Sequence, residues 1–596
     1  MNVTYDKPGQ RARLRTSCAL ALLLAACADG DASPGAPTAP PHDTSDETPA
    51  CVTDEVPEPA RLRRLTMTQY QNTIRDLVHL MLSDGTDADA VIAKAALDGL
   101  PNDRREPVPQ DLHGSYRRLD QALEQVHVDG AFRVGTNLSA ALTETTRFGQ
   151  VVGACAVDDD TGNDAACFEQ FVRRFGARVL RRPIDDDDVN FYREVYGTDT
   201  TASSIAYGDV INVMLNSPDF LYFVEHGTHE VSGKPGVYEL SAHELAARLS
   251  YHFWQTLPDQ PLWQAAEDGS LLRPEVYQSH VQRMLLDSRT YATMEQFFAD
   301  WLKVEELAAL GQSQDPVYRA FAGSDLPSPA LRQHMIEDVL DMAWYYTWTQ
   351  PAGLPQLFSS ELSFARERDL ATIYGVEPWD GLHPPPQLPA GQRPGLLTRA
   401  LFLANGSANT RPIMKGVFVR RRMLCDDIPP PPPGVNAMPP ELRDDMTTRQ
   451  TVEAVTEQPD SECAACHATV INPLGFATEN FDALGRFRTE QRLFDATGMQ
   501  VGSMPIDTRS VPRVTTGDDT VSNGPADLAR LLLQSGKLEA CFARNYFRFT
   551  FGRWEDTSKD ACVLERLRAR LVRSNNIASM LAEIALTPEF RQRTFD

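Results

Sequence analysis

Five consecutive prolines, Pro429 to Pro433, set the first limit on what this chain can fold into. Each proline fixes φ and lacks an amide donor, so the run enters neither a helix interior nor a central strand and stands as a stiff, extended spacer. A recognition segment for proline-binding domains is the alternative, and outside the cytoplasm the spacer is preferred. The run marks a boundary between a long N-terminal stretch and residues 434–596. At 596 residues the chain also exceeds what one hydrophobic core organises, so several domains are expected.

Upstream of the prolines apolar residues recur at helical spacing, and the expected fold class is mainly α. Thr66 opens a helix with Gln69 as its reciprocal capping partner, and Tyr70, Ile74, Leu77, Val78 and Met81 fall on one face. A second block runs from Cys167 to Arg182, stops before Pro183 and resumes after Asp185-Asp186-Asp187-Asp188. These carboxylates are read as complementing the helix dipole, with calcium as the alternative. Ser241 and Glu244 form another capping box ahead of Leu245, Leu249 and Phe253. Periodicity recurs over 274–304 and 331–348, with Trp301, Trp344 and Trp348 on apolar faces that are read as core. His243, His252, His280 and His334 lie in these helices and are read as surface or satisfied core histidines. The sequence has no His-Glu-x-x-His, Gly-x-Ser-x-Gly, Walker or dinucleotide signature.

The N-terminus reads as an export signal. Lys7, Arg11, Arg13 and Arg15 precede the apolar run from Ala19 to Leu24, which is too short to span a bilayer. Leu24-Ala25-Ala26-Cys27 resembles a bacterial lipobox, in which Cys27 is lipidated and becomes the mature N-terminus, and an ordinary secretory signal is the alternative. Residues 28–60 are rich in Ala, Asp, Thr and Pro and form a flexible tether. The expected location is therefore lipid-anchored to a membrane, on the periplasmic face or the cell surface, and Ala28 favours the outer membrane. The formal net charge of −25 argues against nucleic acid as a partner, because phosphate binding needs clustered cations.

In an oxidising compartment cysteines are paired or modified. Cys155 and Cys167 flank a short polar loop and are one candidate disulfide. Cys541 and Cys562 flank a helix-turn-helix and are a second, which leaves Cys51 and Cys425.

The segment Cys463-Ala464-Ala465-Cys466-His467 is a C-x-x-C-H motif, the attachment pattern for c-type haem. Two thiols at this spacing form thioethers to the vinyl groups of one porphyrin, and the adjacent His467 imidazole becomes the proximal iron ligand. A thioredoxin-like dithiol or half a zinc site are rivals, but no βαβ context and no second ligand pair accompanies the motif. Pro473 and Gly475 are read as a turn that places a backbone carbonyl against the His467 ring N–H. Phe476, Phe481 and Phe487 are candidate walls for the porphyrin, and Arg486 and Arg488 are candidate partners of its propionates. Met504 or Met499 is the candidate distal ligand, with Met504 favoured because Pro505 stiffens its loop.

With these residues in view, the chain resembles the planctomycete-type multidomain proteins, which are assembled from consecutive domains of unknown function with a cytochrome c-like C-x-x-C-H module. The likeness rests on Tyr70 to Leu77, Arg181-Arg182-Pro183, Ser217 to Tyr222, Arg248 to Tyr251, Leu257-Pro258-Asp259, Arg393 to Leu397, Cys463 to Arg488, Cys541 to Arg544 and Phe551-Gly552-Arg553. It implies a haem-associated exported protein and no established reaction. Asn472 departs from the pattern, where Asp is expected, and it is read as not touching the haem ligands.

The organisation expected from these readings is a signal peptide 1–26, a lipidated linker 27–60, helical modules 61–150 and 151–230, and a large helical domain 231–428. A proline-rich linker 429–440, a haem module 441–515 and a C-terminal helical module 516–596 complete it. The leading function is electron transfer through one haem c to a redox partner protein. Alternatives are a haem-dependent peroxidase or oxidase acting on an unidentified small organic molecule, and a surface binding or structural protein without haem.

Overall fold

The computed structural model describes residues 51, 56, 57, 59, 61–106, 118–197, 201–307, 309–311, 313–428, 443–459 and 461–595. Cys27, the export signal, most of the tether and the run Pro429–Pro433 lie outside the described residues. The chain is mainly helical, and the six described strands pair two by two into small antiparallel sheets.

An N-terminal unit begins with α1 (Met67–Met81), capped reciprocally by Thr66 and Gln69 as the sequence predicts. Its buried face holds Tyr70, Ile74, Leu77, Val78 and Met81. Helix α2 (Gln125–Leu142) packs on α3 (Ser204–Leu215), where Gly135 lets the side chains of Asn212 and Asn216 lie against its backbone. One hydrophobic cluster joins these elements from Leu65 to Phe220 and reaches Tyr251 and Leu257. The disulfide Cys155–Cys167 forms as predicted, with Cα atoms 5.8 Å apart. Asp185 caps the helix Asp186–Tyr196, exchanging hydrogen bonds with Asp188, whose carboxylate also pairs with Arg182 at 2.6 Å. These carboxylates thus act at a helix start.

The main core of the second unit runs from Leu240 to Phe590, with a smaller cluster of Tyr318, Phe321, Ala322, Ala483 and Leu484 beside it. It is built from α4 (Ala242–Phe253), opened by the Ser241–Glu244 capping box, and from α5 (Pro274–Leu285), α6 (Ser288–Leu302) and α7 (Leu331–Trp344). Four shorter helices follow: α8 (Pro412–Phe418), α9 (Thr448–Thr456), α10 (Glu462–Cys466) and α11 (Asn472–Phe476). The hairpin of α12 (Lys537–Phe551) and α13 (Ala561–Ser574) closes the unit. Leu474 and Ala477, beyond the prolines, belong to the same cluster as Leu249 and Phe297 before them. The proline run therefore separates segments of chain without separating cores, since the flanking helices return to bury their apolar faces together. Trp301 is buried and Trp348 packs on the core, but Trp344 is 37% exposed and rests edge-on to Tyr291, so the expected aromatic stripe is only partly internal.

Long-range staples join the parts. The expected Cys541–Cys562 bridge does not form; the bonds are Cys425–Cys541 and Cys51–Cys562, with Cα separations of 5.2 and 4.4 Å. Cys541 lies on the buried side of α12, beside the chain that descends from α8, and Cys562 opens α13 on a half-buried side reached by the N-terminal segment. Strand β1 (Arg63–Arg64) pairs with β2 (Tyr222–Phe223), and β3 (Val237–Glu239) pairs with β6 (Gln592–Thr594). A hairpin of β4 (Glu490–Phe494) and β5 (Gln500–Pro505) follows the C-x-x-C-H segment. Among the described residues no helix is long and apolar enough to cross a membrane.

Candidate functional site

Ser461 caps the start of α10, its hydroxyl accepting from the Ala464 amide at 3.2 Å. From there the chain stays helical through a widened turn over His467–Ile471 and into α11. Cys463 and Cys466 lie one turn apart on this helix, and both are half-buried free thiols. His467 follows, also half-buried.

Helix α8 clamps this segment from behind. A Cβ placed on Gly416 would enter the backbone at Ile471, and one on Gly475 would enter the backbone at Pro412. Two glycines facing each other's helix allow the two backbones to touch, which side chains elsewhere forbid. Arg420 adds hydrogen bonds from its guanidinium to the Val470 carbonyl at 3.0 and 3.2 Å.

The His467 ring is held by a side chain, not by the backbone carbonyl expected from Pro473 and Gly475. Its Nδ1 lies 3.1 Å from Asn472 Oδ1, and the Pro473 carbonyl is instead occupied by the Ser510 hydroxyl at 2.7 Å. Asn472, fully buried, therefore touches the C-x-x-C-H motif directly, against the expectation that it stands apart. The orientation of its amide follows from its other contacts. Nδ2 donates to Glu457 Oε1 at 2.7 Å and to Thr456 Oγ1 at 3.0 Å. A carboxylate only accepts, and the Thr456 hydroxyl proton is already given to the Val452 carbonyl at 2.7 Å. Both neighbours thus require the NH2 end, so Oδ1 faces the histidine. Nδ1 must then carry the ring proton, and Nε2 keeps its lone pair. This is the tautomer that a metal-binding imidazole needs at Nε2.

The same widened turn explains why Asn472 escaped a sequence reading. Five residues along an α-helix lie about 140° apart around the axis, on different faces. A turn with i to i+5 hydrogen bonding brings them nearer to one face.

The remaining candidates are placed as follows. Phe476 is buried beneath the Arg449 guanidinium, 4.6 Å from the ring centre, and Phe481 is buried under Arg393. Phe487 is 38% exposed. Arg486 pairs with Asp482 at 2.7 Å and Asp325 at 3.0 Å, and donates to the carbonyls of Phe321 and Ala322. Arg488 pairs with Glu479 at 3.3 Å. Both arginines are thus engaged within the protein and tie the loop down.

Glu479 falls in the run from Cys463 to Arg488 that carries the resemblance, but the sequence assigned it no role. Its buried carboxylate receives Lys415 Nζ at 2.8 Å, the Thr410 hydroxyl at 2.6 Å and Arg488. Burial alone would raise its pKa; the charge of Lys415, then that of Arg488, outweighs burial and holds it below the ordinary carboxylate range.

Met499 sits at the hairpin turn and is 63% exposed. Met504 is half-buried on β5 directly across from Gln491, whose side chain accepts from the Thr448 amide at 3.0 Å. Gln491 thus grips the first turn of α9 while Asn472 grips its last. Eight residues of helix, about 12 Å, separate those grips.

With this geometry in hand, comparison with known proteins adds four family matches in succession. Residues 167–225, 240–376, 393–491 and 518–590 match models described as proteins of unknown function, DUF1595, DUF1592, DUF1588 and DUF1585 in that order. All four belong to the planctomycete-type multidomain series, and the C-x-x-C-H segment falls inside the third match. No curated protein matches the chain. No solved structure matches it either.

Proposed function

We propose that this chain is an exported lipoprotein that carries one c-type haem on Cys463 and Cys466, with His467 as iron ligand, and exchanges electrons with a periplasmic or surface partner. The observation that carries the reading is the division among the cysteines. Six described cysteines are joined in disulfides, and the two left as thiols are the pair of the C-x-x-C-H motif. In a compartment that oxidises exposed thiols, a half-buried pair at this spacing is reserved for another covalent use.

When bound, the haem supplies a one-electron couple. The chain's own residues prepare for it. Ser461 starts the helix that sets the spacing of the two sulfurs, Asn472 keeps the proton of His467 on Nδ1, and the contact of Gly416 and Gly475 across the two helices fixes the backbone behind the ring. Lipid on Cys27 and the tether 28–60 would hold the body at a membrane.

Expression with a cytochrome c maturation system tests this. The expected result is haem that survives denaturation, a sharp reduced α band, and loss of the second thioether in Cys466→Ala. A wild-type chain with no covalent haem overturns the proposal and leaves a surface binding or structural role. A second reading is a haem-dependent peroxidase or oxidase, in which neither Met504 nor Met499 ligates the iron. A high-spin spectrum that responds to carbon monoxide or peroxide selects it, whereas a low-spin spectrum altered by Met504→Ala selects electron transfer.

A further inference from the structure

Where the N-terminal segment, α4, α6 and the C-terminal hairpin meet, they enclose a cavity of about 860 Å³. That is the size of a pocket for an organic molecule of several rings. The rings of Phe297, Phe549, Phe551, Trp554 and Phe590 line it together with many charged side chains, among them Arg63, Glu225, Arg248, Glu555 and Glu589.

Several polar groups along the wall are engaged by the protein itself, while Thr550 Oγ1 and Glu589 Oε2 are buried without a partner among the described residues. Arg248 holds Glu225 and donates to the carbonyls of Phe590 and Gln592 at 2.8 and 2.9 Å. Arg63 donates to the Thr550 carbonyl at 3.0 Å and lies over the Phe223 ring. Gln255 donates to Gln296 at 2.9 Å, and the Asn545 amide donates to the Cys541 carbonyl at 2.8 Å.

His252 differs. Its Nε2 lies 3.0 Å from the Tyr546 hydroxyl, and that hydroxyl donates its one proton to the Leu581 carbonyl at 3.0 Å. Tyr546 can then only accept from the ring, so Nε2 carries the proton and Nδ1 is a bare acceptor. Among the described residues Nδ1 has no partner, and the half-buried ring lines the cavity. Burial, then the nearby charge of Arg63, keeps the imidazole neutral down to about pH 3, so the acceptor persists at any ordinary pH.

We infer that this cavity is a binding site for a neutral, flat aromatic molecule bearing a hydroxyl, the rings filling the aromatic enclosure and the O–H donating to His252 Nδ1. A neutral ligand is preferred, because the wall carboxylates of Glu225 and Glu555 are already paired with arginines and a new charge would compete with those pairs. A purely apolar ligand would leave Nδ1 buried and unsatisfied. The inference is independent of haem attachment.

Naphthol and its methyl ether, which has the same rings and no donor, test the site by fluorescence titration of the full chain. Naphthol is expected to saturate one site and to bind roughly three- to tenfold tighter than the ether, the span of one hydrogen bond. His252→Phe should bring the ratio to one, since naphthol loses its acceptor and the ether no longer buries an unsatisfied Nδ1. His252→Gln, which can still donate to Tyr546 and present an acceptor, should restore the preference. Ala299→Trp, which places an indole inside the cavity, should remove binding of both. Circular dichroism and the melting curve show which variants fold. No saturable binding of either probe to the wild-type chain overturns the inference, and so does a preference for naphthol that survives in a folded His252→Phe.

Discussion

His467 and His252 are set up by the same logic to opposite ends. Each ring meets an oxygen whose role is settled elsewhere: Asn472 Oδ1 because the amide nitrogen is spent on Thr456 and Glu457, Tyr546 Oη because its proton is spent on Leu581. The outcome is a proton on Nδ1 and a free Nε2 at His467, and the reverse at His252. The surroundings differ as much. His467 lies half-exposed on a helix held by backbone contact with α8, and its neighbours come from residues 412–510. His252 lies in a junction whose walls come from residues as far apart as Arg63 and Arg593. The lesson is that a tautomer is fixed two bonds away from the ring, and that a local site and an assembled one can use the same device.

The sharpest way to break this contrast is to remove Glu225. Burial would raise the pKa of this carboxylate, but Arg248 above all, with Arg63 and Arg593, overrides burial and holds it at about 2. Glu225→Leu leaves Arg248 and Arg593 with an uncompensated buried charge. It should lower unfolding free energy by about 3–5 kcal/mol in a urea titration while the thiols of Cys463 and Cys466 keep their reactivity.

Removing a staple should do less. Paired substitution of Cys425 and Cys541 by alanine frees a loop of 116 residues and should cost about 2–4 kcal/mol, read from the same titration.

Asn472 is the corresponding test on the other side. With the proposed haem attached, Asn472→Ala should weaken ligation of its iron by His467 about ten- to a hundredfold, measured by displacement with imidazole. Asn472→Asp should lower the reduction potential, since a charged acceptor makes the imidazole a stronger donor.

Acid titration gives the mildest test. His252 has a folded pKa of about 3 against an ordinary 6.5, so the unfolded chain takes up the proton first as pH falls through 6.5. Stability should therefore be flat above that point and fall below it by about 1.4 kcal/mol per pH unit. Glu225, ordinary 4.5 and folded about 2, adds its own loss only below about pH 4.5. Between those limits His252→Gln should make the slope shallower, leaving the part due to His243 and His280, whose pKa values burial also lowers.

The sequence was readable where the physics is short-ranged. The Thr66–Gln69 and Ser241–Glu244 boxes, the cap at Asp185 and the 12-residue separation of Cys155 and Cys167 each depend on a few neighbouring residues. The C-x-x-C-H motif is of that kind too. What escaped depends on chain path. Cys541 is 21 residues from Cys562 yet bonds Cys425, because α12 turns that face toward the core rather than toward α13. Asn472 reaches His467 only across a widened turn, which residue spacing does not reveal. Glu479 with Lys415, and the junction cavity, gather residues whose association nothing in a linear pattern records.

The pairing of Val237 with Thr594 has a consequence in time. A ribosome adding about 5–20 residues per second needs roughly twenty seconds to over a minute to travel from one strand to the other. For most of that interval the apolar faces of α4 and α6 have been synthesised while their α12 partner has not. The second unit is thus obliged to fold after synthesis rather than during it, and a chaperone able to mask those faces during that interval should raise its yield.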